Sequence, residues 1–423
     1  MAIDLAHLFV STPPSLDQRE LVRALFYNRD RELSYATEKL RAGGVSGQIL
    51  AIHGATRAGK SHFARRLVLE VEGQHLPLTP LVVDANSKGS ARAVLREMFQ
   101  RLHRLLPQEP PPGNDPTAYA EAWADCDRVK PLLDGSVQEI TFSVERARTT
   151  QRSGGVGLRI GPQVAFAGLQ LDARAMREQK ETGGEKYTLR SPTDEELTGW
   201  VKFVLALFRQ HYPGYRVLFV VDDADLVARG GNEGTEASQS LFDRLDDLAH
   251  DPACLVVVTV RQRAYNGRDK EFDTLAELKR WRDPNDTLAV YRRHVERFHE
   301  GRDVFTPEAL TKLAEECMGM VGMFLQLCGE LYRMGFGETL PMGWEAVKRC
   351  LAEQFDDWSN TPELLPIAAR VREAMARNTK EVRFDAALEN NPLLLRVLIP
   401  LGAGAPPNTY RISSLYTQAV MGA

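Results

Sequence analysis

The sequence predicts an α/β fold: a parallel sheet with a β-hairpin insertion, followed by a helical lid and a small C-terminal helical or winged-helix-like domain. Three observations carry the sheet. An apolar run at residues 49–52 leads into the loop Gly54-Ala55-Thr56-Arg57-Ala58-Gly59-Lys60-Ser61, and a helical pattern follows from Phe63. The run Val217-Leu218-Phe219-Val220-Val221 ends in two carboxylates, Asp222 and Asp223. A third run, Cys254-Leu255-Val256-Val257-Val258, ends in Thr259 and Arg261. Continuous apolar runs of this length suit strands buried on both faces, as in a parallel sheet. Ligands of open α/β sheets bind beyond the carboxyl ends of such strands, where these polar residues stand.

The first loop specifies its own chemistry. Gly54, Gly59, Lys60 and Ser61 keep the G-x-x-x-x-G-K-[ST] spacing, and the flanking strand and helix give the context of a P-loop NTPase. The glycines let backbone N–H groups converge on an anion, and the helix N-terminus adds its positive dipole end. Gly54, Ala55, Thr56, Arg57, Ala58, Gly59, Lys60, Ser61 and His62 are therefore the expected nucleotide-binding set, with ATP as ligand. Lys60 would reach the β- and γ-phosphates, and the Ser61 hydroxyl would ligate Mg²⁺. Asp222, closing a buried strand, would complete the Mg²⁺ shell in the manner of a Walker B carboxylate.

Composition bounds the remainder. A chain of 423 residues has room for two or three domains, and 43% hydrophobic with 26% charged residues describes an ordinary globular protein. A net charge of −4 excludes a uniformly basic nucleic-acid binder but leaves local basic patches open. No run reaches the roughly 18 apolar residues of a membrane span. Met1-Ala2-Ile3-Asp4-Leu5 lacks the basic-then-apolar form of a signal peptide. Cys126, Cys254, Cys317, Cys328 and Cys350 are scattered with no C-x-x-C pair, so they read as reduced core thiols of a cytoplasmic protein.

The chain divides into an ATPase core at 1–285, a lid at 286–358 and a C-terminal part at 359–423. Leu33, Ala36 and Leu40 recur at helical spacing, and Gly43-Gly44 ends that helix. A strand at 80–85, a cap at Ser90 and a helix at 93–102 follow. Residues 117–191 form a β-rich insertion, with period-two runs at 140–144, 156–160 and 164–171. Arg146, Arg148, Arg152, Arg159, Arg174 and Arg177 crowd it. It is either a hairpin that contacts nucleic acid or protein, or a sheet extension with a solvated charged face. Thr193 and the acids after it open a helix through Phe208, and another helix covers 236–248. Arg263, Arg268, Arg280 and Arg282 are surface charges or a finger for a neighbouring subunit's nucleotide. Asp286 or Thr287 would cap a helix at 288–298, and Thr306 with Pro307 opens the next. Helices are expected around 367–376 and 384–390, with a strand at 410–412.

Several of these pieces together resemble one superfamily. Phe26-x-x-Arg29-x-x-Glu32-Leu33 lies upstream of the loop, Asp222-Asp223 closes one strand, Thr259-x-Arg261 closes another, and Phe305-Thr306-Pro307-Glu308-Ala309-Leu310 opens the lid. The set spans residues 26 to about 334 and resembles AAA+-related ATPases of the origin-recognition and STAND branches, which include ATPases of bacterial mobile elements and phage-defence islands. The resemblance implies that Arg29 belongs to a segment lying over the adenine base. It implies that Asp223 orients the attacking water, and that Thr259 and Arg261 sense the γ-phosphate from a strand beside the Walker B strand. Asn28 replaces a usual glycine, and Gly322 stands where a lid arginine is usual. The resemblance implies a homo-oligomer, working either as an ATP-dependent assembly on duplex DNA or as a slow switch that governs an effector protein, for example in antiviral defence. The second strand aspartate and the lid argue against a small-molecule kinase.

Overall fold

The computed structural model describes residues 14–110 except 44–46, and residues 193–421 except 228–233, 269, 318, 336–338, 386–387, 389–396, 402–405 and 407. Between 111 and 192 it describes scattered positions from 117 to 127 and two strands. The apolar runs become strands of one five-stranded sheet in the order β2-β5-β6-β1-β7. These strands are β1 (Ile49–Gly54), β2 (Leu78–Asp84), β5 (Arg216–Asp222), β6 (Cys254–Arg261) and β7 (Phe272–Leu278), all paired in parallel. Period two divides their side chains between two cores. Ile49, Ala51, Phe219, Val221, Val256 and Val258 face one, while Leu50, Ile52, Leu218, Val220 and Val257 face the other.

Helices cover both faces. On the second face lie α2 (Asp30–Arg41), through Leu33, Ala36 and Leu40, and α3 (Lys60–Gly73), through Phe63 and Leu67. Ahead of them runs the short α1 (Arg19–Leu25). The first face takes α4 (Ala91–His103), α5 (Asp194–His211) and α6 (Gly234–Ala249). The start of α5 is a full capping box: Glu196 N donates to Thr193 Oγ1 at 3.3 Å and Thr193 N to Glu196 Oε2 at 2.7 Å. Ser90 caps α4 by accepting from Ala93 N at 3.2 Å.

The edge strand β7 has no counterpart in the sequence reading. Asp273 and Glu277 interrupt its apolar pattern, although Phe272, Leu275, Ala276 and Leu278 are all buried. The short α7 (Gln262–Asn266) leads into it. Lys39 covers the edge, donating to Asp273 Oδ1 at 2.7 Å and to Thr274 O at 2.8 Å. Within the insertion, β3 (Glu139–Phe142) pairs antiparallel with β4 (Glu185–Thr188). The expected strands at 156–160 and 164–171, and the six arginines, lie outside the described residues.

The lid contains α8 (Pro284–Phe298), α9 (Pro307–Cys317), α10 (Val321–Met334) and α11 (Trp344–Ser359). Helix α8 begins before the expected cap: Asp283 accepts from Asn285 N at 2.9 Å and Pro284 takes the first turn, an arrangement that outweighs Asp286. After α12 (Leu365–Ala376) come β8 (Glu381–Arg383), β9 (Leu398–Pro400), β10 (Thr409–Ile412) and α13 (Ser414–Met421). The three strands form an antiparallel sheet in the order β8-β10-β9. The helix expected at 384–390 is corrected: its described positions, Phe384, Asp385 and Leu388, are not helical. Val382 and Phe384 both point inward, a period of two rather than 3.6. One apolar cluster runs from Val290 in α8 to Tyr416 in α13. Glu316 of α9 bridges it, accepting from Ser414 N at 2.8 Å and Ser414 Oγ at 2.7 Å and pairing with Arg411 at 3.2 Å.

Thr193→Ala should cost about 1 kcal/mol, the usual worth of an N-cap. Gly319→Ala should cost more, because Gly319 has φ +73° and a Cβ there would lie 2.0 Å from Trp281 O. Denaturant midpoints of the two variants check this order.

Candidate functional site

Strand β1 delivers the chain into a loop that only glycine can open. At Gly54, with φ +153°, a Cβ would fall 2.2 Å from Leu278 O of β7. Arg57 takes φ +61° and Gly59 takes φ +89°, which turn the chain into α3 at Lys60. Ala58 N donates to Ala55 O at 3.2 Å and closes the turn. Residues 54–62 thus bend around the N-terminus of a 14-residue helix, where unpartnered N–H groups and the dipole favour an anion.

Lys60 folds back over this loop, its Nζ donating to Ala55 O at 2.9 Å and more distantly to Gly54 O at 3.4 Å. Burial pushes its pKa down, while Asp223 and Asp225 pull the other way. The Ser61 hydroxyl stands beside Asp222 at the tip of β5 and acts to lower its pKa. The Thr259 hydroxyl, fully buried on β6, donates to Asp222 Oδ1 at 2.6 Å and accepts from Asp223 N at 2.7 Å. Burial pushes the Asp222 carboxyl up, while the neighbouring Thr259 and Ser61 hydroxyls act the other way. Asp223 sits at φ +52°, and burial, reinforced by the Asp222 charge, pushes its carboxyl up to about 7. Beyond it, the single turn Ala224–Leu226 carries Asp225, whose carboxylate accepts from Arg261 N at 3.3 Å and from Arg261 Nε.

The structure therefore gathers Lys60, Ser61, Asp222, Asp223, Thr259 and Arg261 at one end of the sheet. Two other expected residues are engaged elsewhere. His62 Nε2 bonds Val22 O of α1 at 2.9 Å, and burial pushes its pKa down. Arg29 pairs with Glu32 at 3.1 Å, donates to Lys279 O and stacks 5.2 Å from the Trp281 ring centroid, beside the exit of β7. Thr56 lies within the loop. Sequence reasoning missed Asp84, the β2 partner of Asp222, whose charge raises both strand carboxyls. Its position, closing an apolar strand as Asp222 does, was the available clue.

The lid meets the loop at the start of α10. Gly322 N donates to Arg57 O at 3.3 Å, and a Cβ on Gly322 would lie 3.3 Å from that of Arg57. The donor set suits a small hard cation: the Ser61 hydroxyl and the Asp222 carboxylate are oxygen ligands. Among the described residues no group of three or more His, Cys, Asp or Glu could hold a metal. A cation here would thus complete its shell with phosphate oxygens and water, as Mg²⁺ commonly does. No described helix is long and apolar enough to cross a membrane.

No protein-family profile matches the chain, and no curated protein matches it. Among solved structures, it is similar to the Aeropyrum pernix ORC1 protein in complex with DNA, at 12% identity and a TM-score of 0.46, with 96% of this chain and 95% of that chain covered. It is similar to Cdc6p from Pyrobaculum aerophilum at 11% identity and a TM-score of 0.42, covering 93% and 94%. The Aeropyrum pernix ORC2 protein in its ADPNP–ADP complexes is similar at 11% identity and a TM-score of 0.41, covering 98% and 96%.

Thr259→Val should destabilise the fold by about 1–3 kcal/mol, since a near-isosteric change strands a buried carboxylate and a backbone N–H. Thermal or denaturant unfolding of the variant measures it.

Proposed function

We propose that this protein binds Mg²⁺-ATP and hydrolyses it as a P-loop ATPase of the AAA+ kind. The observation that carries the reading is the junction of loop and strand tip: the Ser61 hydroxyl beside Asp222, with Thr259 tying Asp222 to the backbone of Asp223. Residues 54–61 would cradle the phosphates. Lys60, now satisfied by loop carbonyls, would exchange them for phosphate oxygens. Mg²⁺, held by Ser61 and Asp222, would supply charge neutralisation on the β- and γ-phosphates. Asp223 would orient the attacking water, and Arg261 would meet the charge of the terminal phosphate. Arg29 and Trp281 would lie toward the base.

Two uses of such a site remain in play. In the first, ATP drives assembly on duplex DNA. The helices and three-stranded antiparallel sheet at the C-terminus support it, with the basic insertion of the sequence. In the second, nucleotide governs association with an effector protein. The backbone contact of Gly322 with Arg57 favours that reading, because glycine stands there where a lid arginine would be expected.

Lys60→Ala should weaken ATP binding by about 100-fold or more, the worth of a lost charge-assisted phosphate contact, as titration calorimetry would show. Asp223→Asn should bind ATP normally yet turn it over about 10²- to 10⁴-fold more slowly, the range for a lost general base. Steady-state phosphate release measures this, and unchanged turnover would remove Asp223 from the chemistry. Light scattering with Mg²⁺-ATP, with ADP and without nucleotide, each with and without duplex DNA, separates the two uses. Growth in size that needs both ATP and DNA supports the first, and DNA-indifferent growth supports the second.

A further inference from the structure

We propose that Asp225 is a positioning residue for Arg261, and that this carboxylate thereby sets how strongly the site prefers a nucleoside triphosphate to a diphosphate. The inference rests on the nucleotide reading above and deepens it.

The argument begins with what an arginine at a strand tip lacks. Its side chain has several rotatable bonds and loses a large rotamer entropy when fixed. Here one carboxylate fixes both ends of the flexible part. Asp225 accepts from the backbone N–H of Arg261 and from Nε of the same residue, so the side chain is curled and anchored at its guanidinium base. The Asp225 side chain is only 4% exposed, while that of Arg261 is 24% exposed, so the pair is rooted in protein and reaches solvent on the arginine side. A buried carboxylate without its cation would be costly, which makes the pairing strongly directional.

The location supplies the target. Arg261 is the β6 partner of Gly54, the first residue of the phosphate loop. Thr259, two residues back and on the same face of the strand, already binds Asp222 and Asp223. Two side-chain bridges therefore join the tips of β5 and β6. Thr259 fixes the carboxylates, and Asp225 fixes the cation. Lys60 senses the charges of Asp223, Asp225, Arg261 and Asp222 together, so all five groups share one field. Asp225 cannot itself hold an anionic phosphate; its contribution runs through Arg261. Because Asp225 lies in the single turn that Asp223 opens, the same short segment sets both the water-orienting carboxylate and the phosphate-sensing cation.

The test is nucleotide discrimination, the ratio of the Mg²⁺-ADP to the Mg²⁺-ATPγS dissociation constant, read by titration calorimetry. Four proteins are compared: wild type, Asp225→Asn, Arg261→Gln and the double variant. Asparagine keeps an acceptor for the Arg261 N–H but not the charge. Both single variants should lose about tenfold in the ratio, the scale of one charge-assisted hydrogen bond, with ADP affinity held within about threefold. The double variant should be no worse than Arg261→Gln alone, since both act through one group. Arg261→Lys keeps the charge but has no Nε to grip, so it should lose discrimination as Arg261→Gln does, and adding Asp225→Asn to it should change nothing. A full ratio in Asp225→Asn, losses that multiply in the double variant, or full discrimination in Arg261→Lys would each overturn the proposal. If Asp225→Asn does not fold, the Arg261→Lys result alone decides. A wild type that binds both nucleotides equally overturns this inference and leaves nucleotide binding standing. A wild type that binds neither overturns both.

Discussion

One buried hydroxyl orders the polar end of this sheet. Thr259 has no solvent to turn to, so its proton and lone pairs must be spent on protein groups. It gives the proton to Asp222 and takes one from the Asp223 amide. That exchange fixes the distance between the β5 and β6 tips and holds Asp223 in a left-handed conformation that a non-glycine residue otherwise resists. Ser61, in the first turn of α3, stands beside the same carboxylate. The tips of β5 and β6 are thus one hydrogen-bonded object, although 37 residues separate Asp222 from Thr259 in the sequence.

What could be read in the sequence follows from how strongly each feature is imposed locally. Strands β1, β5 and β6 are buried on both faces, so their apolar runs are unbroken and were visible. The loop was visible because glycine spacing and a following lysine are backbone requirements. Strand β7 was not, because its edge position admits Asp273, whose partner Lys39 comes from a helix 234 residues earlier in the chain. Strand β8 is three residues long, too short for periodicity to declare itself. The pairing of Arg261 with Asp225 was equally out of reach, because only the adjacency of β5 and β6 brings the two residues together. Thr259 and Arg261 stood out by their position at a strand end and by the resemblance of that strand's tip; Thr259 bonds Asp222 of β5, and Arg261 pairs with Asp225 in the turn after it.

The glycines of the lid explain how a helical unit can lie so close to the loop. Gly319 lets the chain pass against the backbone of Trp281, and Gly322 lets the first turn of α10 touch Arg57. Trp281 in turn receives Arg29 at the exit of β7. The connector between α9 and α10 therefore rests on the same two strand exits, β1 and β7, that frame the loop. Any shift of the Arg57 carbonyl is felt at the start of α10 without an intervening side chain.

The apolar cluster that runs from Val290 to Tyr416 has a mechanical meaning of its own. A body with one continuous core and a buried carboxylate stitched across its middle melts as a single cooperative unit rather than helix by helix. The lid and the C-terminal strands accordingly share one hydrophobic core. The lid's first helix, α8, is tied to the segment ahead of α2: Arg293 donates to Phe26 O, and Asn28 donates to Asp286 at 2.8 Å.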